Sequence, residues 1–194
     1  MEKRPRGRPQ KFKTTEALNQ ASEVCWSQGY EGTSLSNLTS ALNMNRPSIY
    51  AAFGNKENLF KLSTEKYLDE HLGFIDEAMN EKNIFIAFNM LFKKQIELIY
   101  TGKGCLLVNT ALSCNPMNDA IKTMLNEYRK TIEGKFRKRI QLAQLKKEVG
   151  TQESPAAMAK YIASIYQGLS VQAAGGATSK ELEAVVNIAL TPFA

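Results

Sequence analysis

The chain has 194 residues, 43% hydrophobic and 23% charged, with a net charge of +6 and one histidine. That length suits one compact domain, or a small domain joined to a larger one, and the composition excludes a wholly disordered chain. Three cysteines at unrelated spacings, no apolar run ahead of Lys13, and no uninterrupted apolar stretch of roughly 18 residues predict a soluble cytoplasmic protein with reduced thiols and no membrane partner.

The positive charge is concentrated at one end. Lys3, Arg4, Arg6, Arg8, Lys11 and Lys13 stand against Glu2 alone, so a basic arm precedes a nearly neutral body. This arrangement predicts a polyanionic partner, either nucleic acid or an anionic membrane surface. The arm lacks the apolar residues at helical spacing that interfacial membrane binding needs. Arg6-Gly7-Arg8-Pro9 matches the core of an AT-hook, whose arginines enter a narrow A·T minor groove. The alternative is a basic tail that meets phosphates without sequence preference.

Apolar residues recur at three- and four-residue spacing while two-residue alternation is nearly absent, so the expected fold is all-α. Residues 15–28 place Leu18, Ala21, Val24 and Cys25 on one face before Gly29 stops the helix. Thr33 or Ser34 caps a second short helix with Leu35, Leu38 and Leu42 inward. Asn43-Met44-Asn45 makes a tight turn, because asparagine tolerates the left-handed backbone. A third short helix opens at Arg46-Pro47-Ser48, where proline suits a first turn, and Ile49 and Phe53 face inward. Gly54 ends it, and Asn55 caps a longer helix expected to reach about Ala78. Further helices are expected over 83–100, 106–112, 117–147, 156–174 and 180–190, the last capped by Ser179. The chain thus divides into an arm (1–13), a three-helix unit (14–58) and a larger helical domain (59–194).

Three short helices with a tight turn between the second and third form a helix-turn-helix pattern, in which the third helix reads the major groove. Its exposed side offers Arg46 for base edges, Ser48 for a base or phosphate, and Tyr50 for a phosphate oxygen. Asn45 and Pro47, at the mouth of this helix, belong to the same DNA-facing set.

The runs Gly32-Thr33-Ser34-Leu35 and Ile49-Tyr50-Ala51-Ala52-Phe53-Gly54-Asn55-Lys56-Glu57-Asn58-Leu59-Phe60 resemble the signature of the tetracycline-repressor (TetR/AcrR) family, over roughly residues 14–62. The resemblance implies a homodimer with an N-terminal helix-turn-helix domain and a larger helical domain for ligand binding and dimerisation. It also implies phosphate contacts from Thr33, Tyr50 and Lys56. Thr39, Asn43 and Pro47 depart from the family pattern, standing where alanine, the turn glycine and a second glycine are common. Pro47 stiffens the mouth of the reading helix, so base preference does not carry over from relatives. The expected function is a sequence-specific repressor of a pseudo-palindromic operator, released by a small ligand or by thiol modification. The alternative is a non-specific architectural DNA-binding protein.

The larger domain is rich in aromatic and methionine side chains, among them Phe88, Phe92, Met124, Tyr128 and Tyr166. These serve either as a bundle core or as a pocket for an unidentified small, largely apolar effector. Cys105 follows a glycine-rich break with Lys103 two residues earlier, a setting that predicts a lowered thiol pKa and reactivity, with Cys114 as a resolving partner. The segment Gly104-Cys105-Leu106 resembles one found in a TetR branch that includes thiol-based electrophile sensors. The bland alternative for Cys105 is a small buried residue starting a helix. Ile162, Ile165, Leu169, Leu182, Val185 and Val186 provide apolar surface for a four-helix dimer interface or for burial within one chain. His71 stands without cysteine or histidine at metal-ligand spacing, and neither a phosphate loop nor a nucleophile elbow is present. No enzymatic activity, cofactor or metal is expected.

Overall fold

The computed structural model describes residues 10–115 and 118–194, and their regular elements are all helical. In chain order these are α1 (Gln10–Gly32), α2 (Leu35–Leu42), α3 (Arg46–Phe53), α4 (Lys56–His71), α5 (Phe74–Met79), α6 (Ile84–Ile99), α7 (Leu106–Ser113), α8 (Asp119–Leu145), α9 (Pro155–Ala174) and α10 (Ser179–Ala189). A short 3-10 turn, Thr191–Phe193, follows α10. No helix among the described residues is long and apolar enough to cross a membrane.

Short polar side chains set most helix starts. Ser34, Asn45, Asn55, Asn83, Asn118 and Ser154 each accept a hydrogen bond from a first-turn N–H of α2, α3, α4, α6, α8 and α9 respectively. Thr178, one residue ahead of the expected cap Ser179, forms a reciprocal capping box with Glu181 at α10. Hydrogen bonds from the Thr178 backbone and side chain hold the Glu181 carboxyl below its usual pKa. Asn43 ends α2 at φ 48°, ψ 43°, the left-handed turn that its short side chain tolerates.

Two boundaries differ from expectation. Helix α1 already begins at Gln10, inside the expected arm, and Arg6 and Arg8 lie outside the described residues. The long helix expected after Asn55 stops at His71: Leu72 leaves helical geometry and α5 restarts after Gly73. Glycine there raises the cost of continuous helix, yet its ordinary helical φ gives little local warning of a break.

Two apolar cores form. Ala17, Ala21, Leu38, Leu42, Ile49, Phe53 and Leu59 make the smaller one, which locks α2 and α3 against α1 and α4. The larger core runs from Cys25, Trp26 and Tyr30 through Phe60 and Tyr67 to α6–α10. Helices α1 and α4 therefore serve both cores, and the expected division at residue 58 falls inside α4. Trp26 packs against Tyr67 and His71, with ring centroids 5.1 and 4.3 Å away, so the histidine joins an aromatic cluster between α1 and α4.

Gly29 kinks the end of α1 at φ 66°, ψ −174°, a region open almost only to glycine. The kink brings its carbonyl within 2.6 Å of the Thr33 hydroxyl, and a Cβ at this position would lie 3.2 Å from Ser113 Oγ on α7. Gly29→Ala is expected to destabilise the fold by about 1–3 kcal/mol. Thermal unfolding checks this, and an unchanged midpoint would show that α1 accommodates the side chain.

Candidate functional site

The reading helix α3 is fixed from beneath by Ile49 and Phe53, 2% and 3% exposed, while Arg46, Pro47, Ser48 and Tyr50 face outward. Asn45 Oδ1 accepts from the Ser48 N–H at 2.9 Å, which holds the first turn. The Arg46 guanidinium has only a long 3.5 Å contact to Ser36 Oγ, and no other residue of α3 is charged. Lys56 rests 4.2 Å from the centroid of the Tyr30 ring at the start of α4. Thr33 is placed differently from the expectation of a phosphate contact. Its side chain is buried and its hydroxyl donates to the Gly29 carbonyl, so that group turns inward. Its neighbour Ser34 is the exposed hydroxyl at the mouth of α2, a residue read only as a cap from the sequence.

A cavity of about 280 Å³ opens between α7, α8 and α9. Its walls include Leu107, Val108, Ile132, Phe136 and Ala163, with Cys105 and Tyr166 among the polar lining. Arg129 and Gln167 also line it and bond to one another at 2.6 Å. Of the residues named from the sequence as core or effector pocket, Cys105 and Tyr166 line this cavity. Phe88 and Phe92 are fully buried in the larger core, where Phe88 packs on Phe136 and Phe193. Met124 and Tyr128 border a separate open groove between α4 and α8. There Tyr128 donates to Glu65 at 3.4 Å, and burial, followed by the Glu65 charge, raises its pKa to about 12.

The expected activation of Cys105 is corrected by its surroundings. The residue is 2% exposed, and burial pushes its thiol pKa up, outweighing the lowering influence of the nearby Val108 backbone and Tyr67. Lys103 turns away to pair with Glu23 and to lie over the Trp26 ring. Cys114 is half-buried, and its pKa is likewise raised, by desolvation and then by Glu31. Both thiols are therefore protonated at neutral pH.

The terminal pair α9 and α10 has two apolar sides. Ile162, Leu169, Leu182 and Val186, expected at a dimer interface, are buried in the chain's own core, while Ile165 is half-buried. Val185 remains exposed and is joined on the outer side by Tyr161, Val171 and Ile188.

A buried-backed reading helix on a shared α1/α4 frame, beside a larger helical body, is the architecture of a helix-turn-helix DNA-binding protein. Residues 17–62 match the model of the bacterial regulatory proteins of the tetR family. A structure of the TetR family transcriptional regulator CifR, a cysteine-substituted form complexed with 26-base-pair operator DNA, superposes with a TM-score of 0.87. It is 30% identical, covering 99% of this chain and 100% of that one. The transcriptional repressor ComR of Escherichia coli is 28% identical over 97% of this chain and 92% of its own length. The reduced form of E. coli NemR, 15% identical over 94% of this chain and 97% of that one, shares the fold with a TM-score of 0.82. The chain belongs to the TetR family, and it is a sequence-specific DNA-binding transcriptional regulator.

Proposed function

We propose that the protein is a homodimeric repressor that occludes a pseudo-palindromic operator and leaves it when a small molecule fills the α7–α8–α9 cavity. The observation that carries the DNA-binding part is α3 itself. Arg46, Ser48 and Tyr50 share its outer side while Ile49 and Phe53 anchor the inner side. Pro47 and the Asn45 cap pre-set the first turn, so little ordering is left to do on binding. Lys56 and the exposed Ser34 flank α3 as phosphate contacts that fix its register.

Selection of binding sites from random duplexes at near-physiological salt tests this reading. An inverted repeat with half-sites about one helical turn or a simple multiple apart is expected. Tight, salt-sensitive binding with no enriched sequence would overturn it in favour of an architectural DNA-binding protein.

A second copy of the chain is the proposed occupant of the outer face of α9 and α10. Ile188 is 71% exposed, and Tyr161, Val171 and Val185 extend the apolar surface around it. An isologous pairing of two such hairpins would give a four-helix interface. Ile188→Glu is expected to shift the sedimenting species from dimer toward monomer and to weaken operator binding about tenfold or more, because one reading helix then acts alone. A variant that stays dimeric with full affinity would place the interface elsewhere.

Helix α7 supports a route from cavity to DNA. It supplies Leu107 and Val108 to the cavity wall and packs against α1 on its other side. The Trp26 indole N–H donates to the Gly104 carbonyl at 2.8 Å, and the Asn115 N–H donates to Glu31 at 3.1 Å. A ligand that displaces α7 pulls on α1 at both ends of that contact, and α1 carries part of the core beneath α3.

A further inference from the structure

We propose that the α7–α8–α9 cavity is built for a neutral, largely apolar molecule carrying one hydrogen-bond acceptor, such as a ketone oxygen, which accepts a hydrogen bond from the Tyr166 hydroxyl. The inference rests on the reading of this cavity as the effector site and adds the chemistry of its occupant.

Three features select that chemistry. The Tyr166 side chain lines the cavity, its residue is 4% exposed, and its hydroxyl has no hydrogen-bond partner. A buried hydroxyl without a partner is costly, and a ligand oxygen that accepts from it removes the cost. Burial also raises the phenol's pKa well above its usual value, so the group stays a protonated donor across the neutral range. Second, the other polar lining groups are already committed or neutral. Arg129 and Gln167 bond to each other, and burial keeps the Cys105 thiol protonated. The one cation of the lining, Arg129, is exposed and keeps its hydration, so no buried cation receives a carboxylate, and an anion entering the cavity would lose hydration without compensation. Third, the remaining wall is hydrocarbon, from Leu107, Val108, Ile132, Phe136 and Ala163. An apolar cavity of about 150 Å³ admits benzene; one of about 280 Å³ has space for a substituted ring of modest size.

Three probes of matched size separate these features: 4-phenyl-2-butanone, butylbenzene and 3-phenylpropanoate. Binding to the full-length protein is measured by calorimetry, and Trp26, the only tryptophan, gives an independent fluorescence readout beside the Gly104 carbonyl. The ketone is expected to bind about tenfold more tightly than the hydrocarbon, the worth of one hydrogen bond in a buried site. The carboxylate should bind more weakly than both. Tyr166→Phe should bring the ketone down to the hydrocarbon's affinity and leave the hydrocarbon unchanged. Equal affinity for ketone and hydrocarbon, a preference for the carboxylate, an unchanged ratio in Tyr166→Phe, or no binding by any probe would each overturn the proposal. Operator release is scored separately. Ketone binding through Tyr166 without release keeps the cavity chemistry and defeats the effector reading, whereas release by the hydrocarbon as readily as by the ketone does the reverse.

Discussion

Arg46→Ala is expected to weaken binding to the selected operator by about 30-fold at least, and to relax sequence preference at one position in each half-site. A bidentate contact from arginine to a base edge contributes roughly 1–3 kcal/mol, and a symmetric dimer makes it twice, for about 2–6 kcal/mol in total. The structure makes this side chain the strongest candidate on α3. It is exposed, it is the one charged residue of that helix, and its only polar contact is the long one to Ser36 Oγ. Arg46→Lys should recover part of the affinity without the base preference, because a point charge replaces the planar fork. Lys56→Ala should behave otherwise, weakening all duplexes alike and lowering the salt dependence by about one counterion per copy. Anisotropy titrations of operator and scrambled duplex at several salt concentrations separate the two roles. If Arg46→Ala reduces affinity for both duplexes equally, the guanidinium holds a phosphate and sequence is read by other groups.

The DNA-reading half was the more legible in sequence because its determinants are local. The Asn43 turn, the Asn45 and Asn55 caps, Pro47 in a first turn and inward Ile49 and Phe53 each follow from a few neighbouring residues, and the structure has all of them. The sensing half depends on contacts between residues far apart in the chain. Lys103 looked like a neighbour able to activate Cys105, but its ammonium goes to Glu23, eighty positions away, and burial sets the thiol's state instead. On α9 both sides carry apolar residues, with Ile162 and Leu169 inward and Tyr161 and Val171 outward, so periodicity alone does not say which side awaits a partner. Tyr166 was visible as one aromatic among several. Its importance comes from a hydroxyl with no partner at a cavity wall, which no spacing rule reports. Arg139 stands among the many charges of α8, and nothing in their spacing marks it as the one that is buried.

That buried arginine carries the largest expected effect on stability. Arg139 and Glu148 form an ion pair at 2.9 Å with side chains only 2% and 15% exposed. The same carboxylate oxygen accepts from the Ile84 N–H at 2.9 Å, and Arg139 also reaches the Glu81 carbonyl at 3.4 Å. The pair thereby ties the end of α8 to the start of α6. Glu148→Gln leaves the arginine charge buried without its counterion, and a loss of about 3 kcal/mol is expected. For a chain of this length that lowers the unfolding midpoint by roughly 6–12 °C. Burial opposes ionisation of Glu148, but the hydrogen bonds from Arg139 and Ile84 outweigh it and hold the pKa below the usual glutamate value. A depressed folded pKa adds stability above the unfolded value, and that contribution is lost as pH falls through the folded one. The difference between the native chain and Glu148→Gln should therefore be full at neutral pH and shrink on acidification below the ordinary glutamate range. Arg139 Nε and Nη1 have no hydrogen-bond partner, so the pair is incompletely satisfied even in the native fold. Replacing both members, as Arg139→Met with Glu148→Leu, should for that reason recover most of the stability lost in the single variant. Thermal unfolding of the three proteins from acid to neutral pH gives the test. A single variant as stable as the native chain, or a deficit that does not change with pH, would show that Glu148 does not compensate the buried guanidinium.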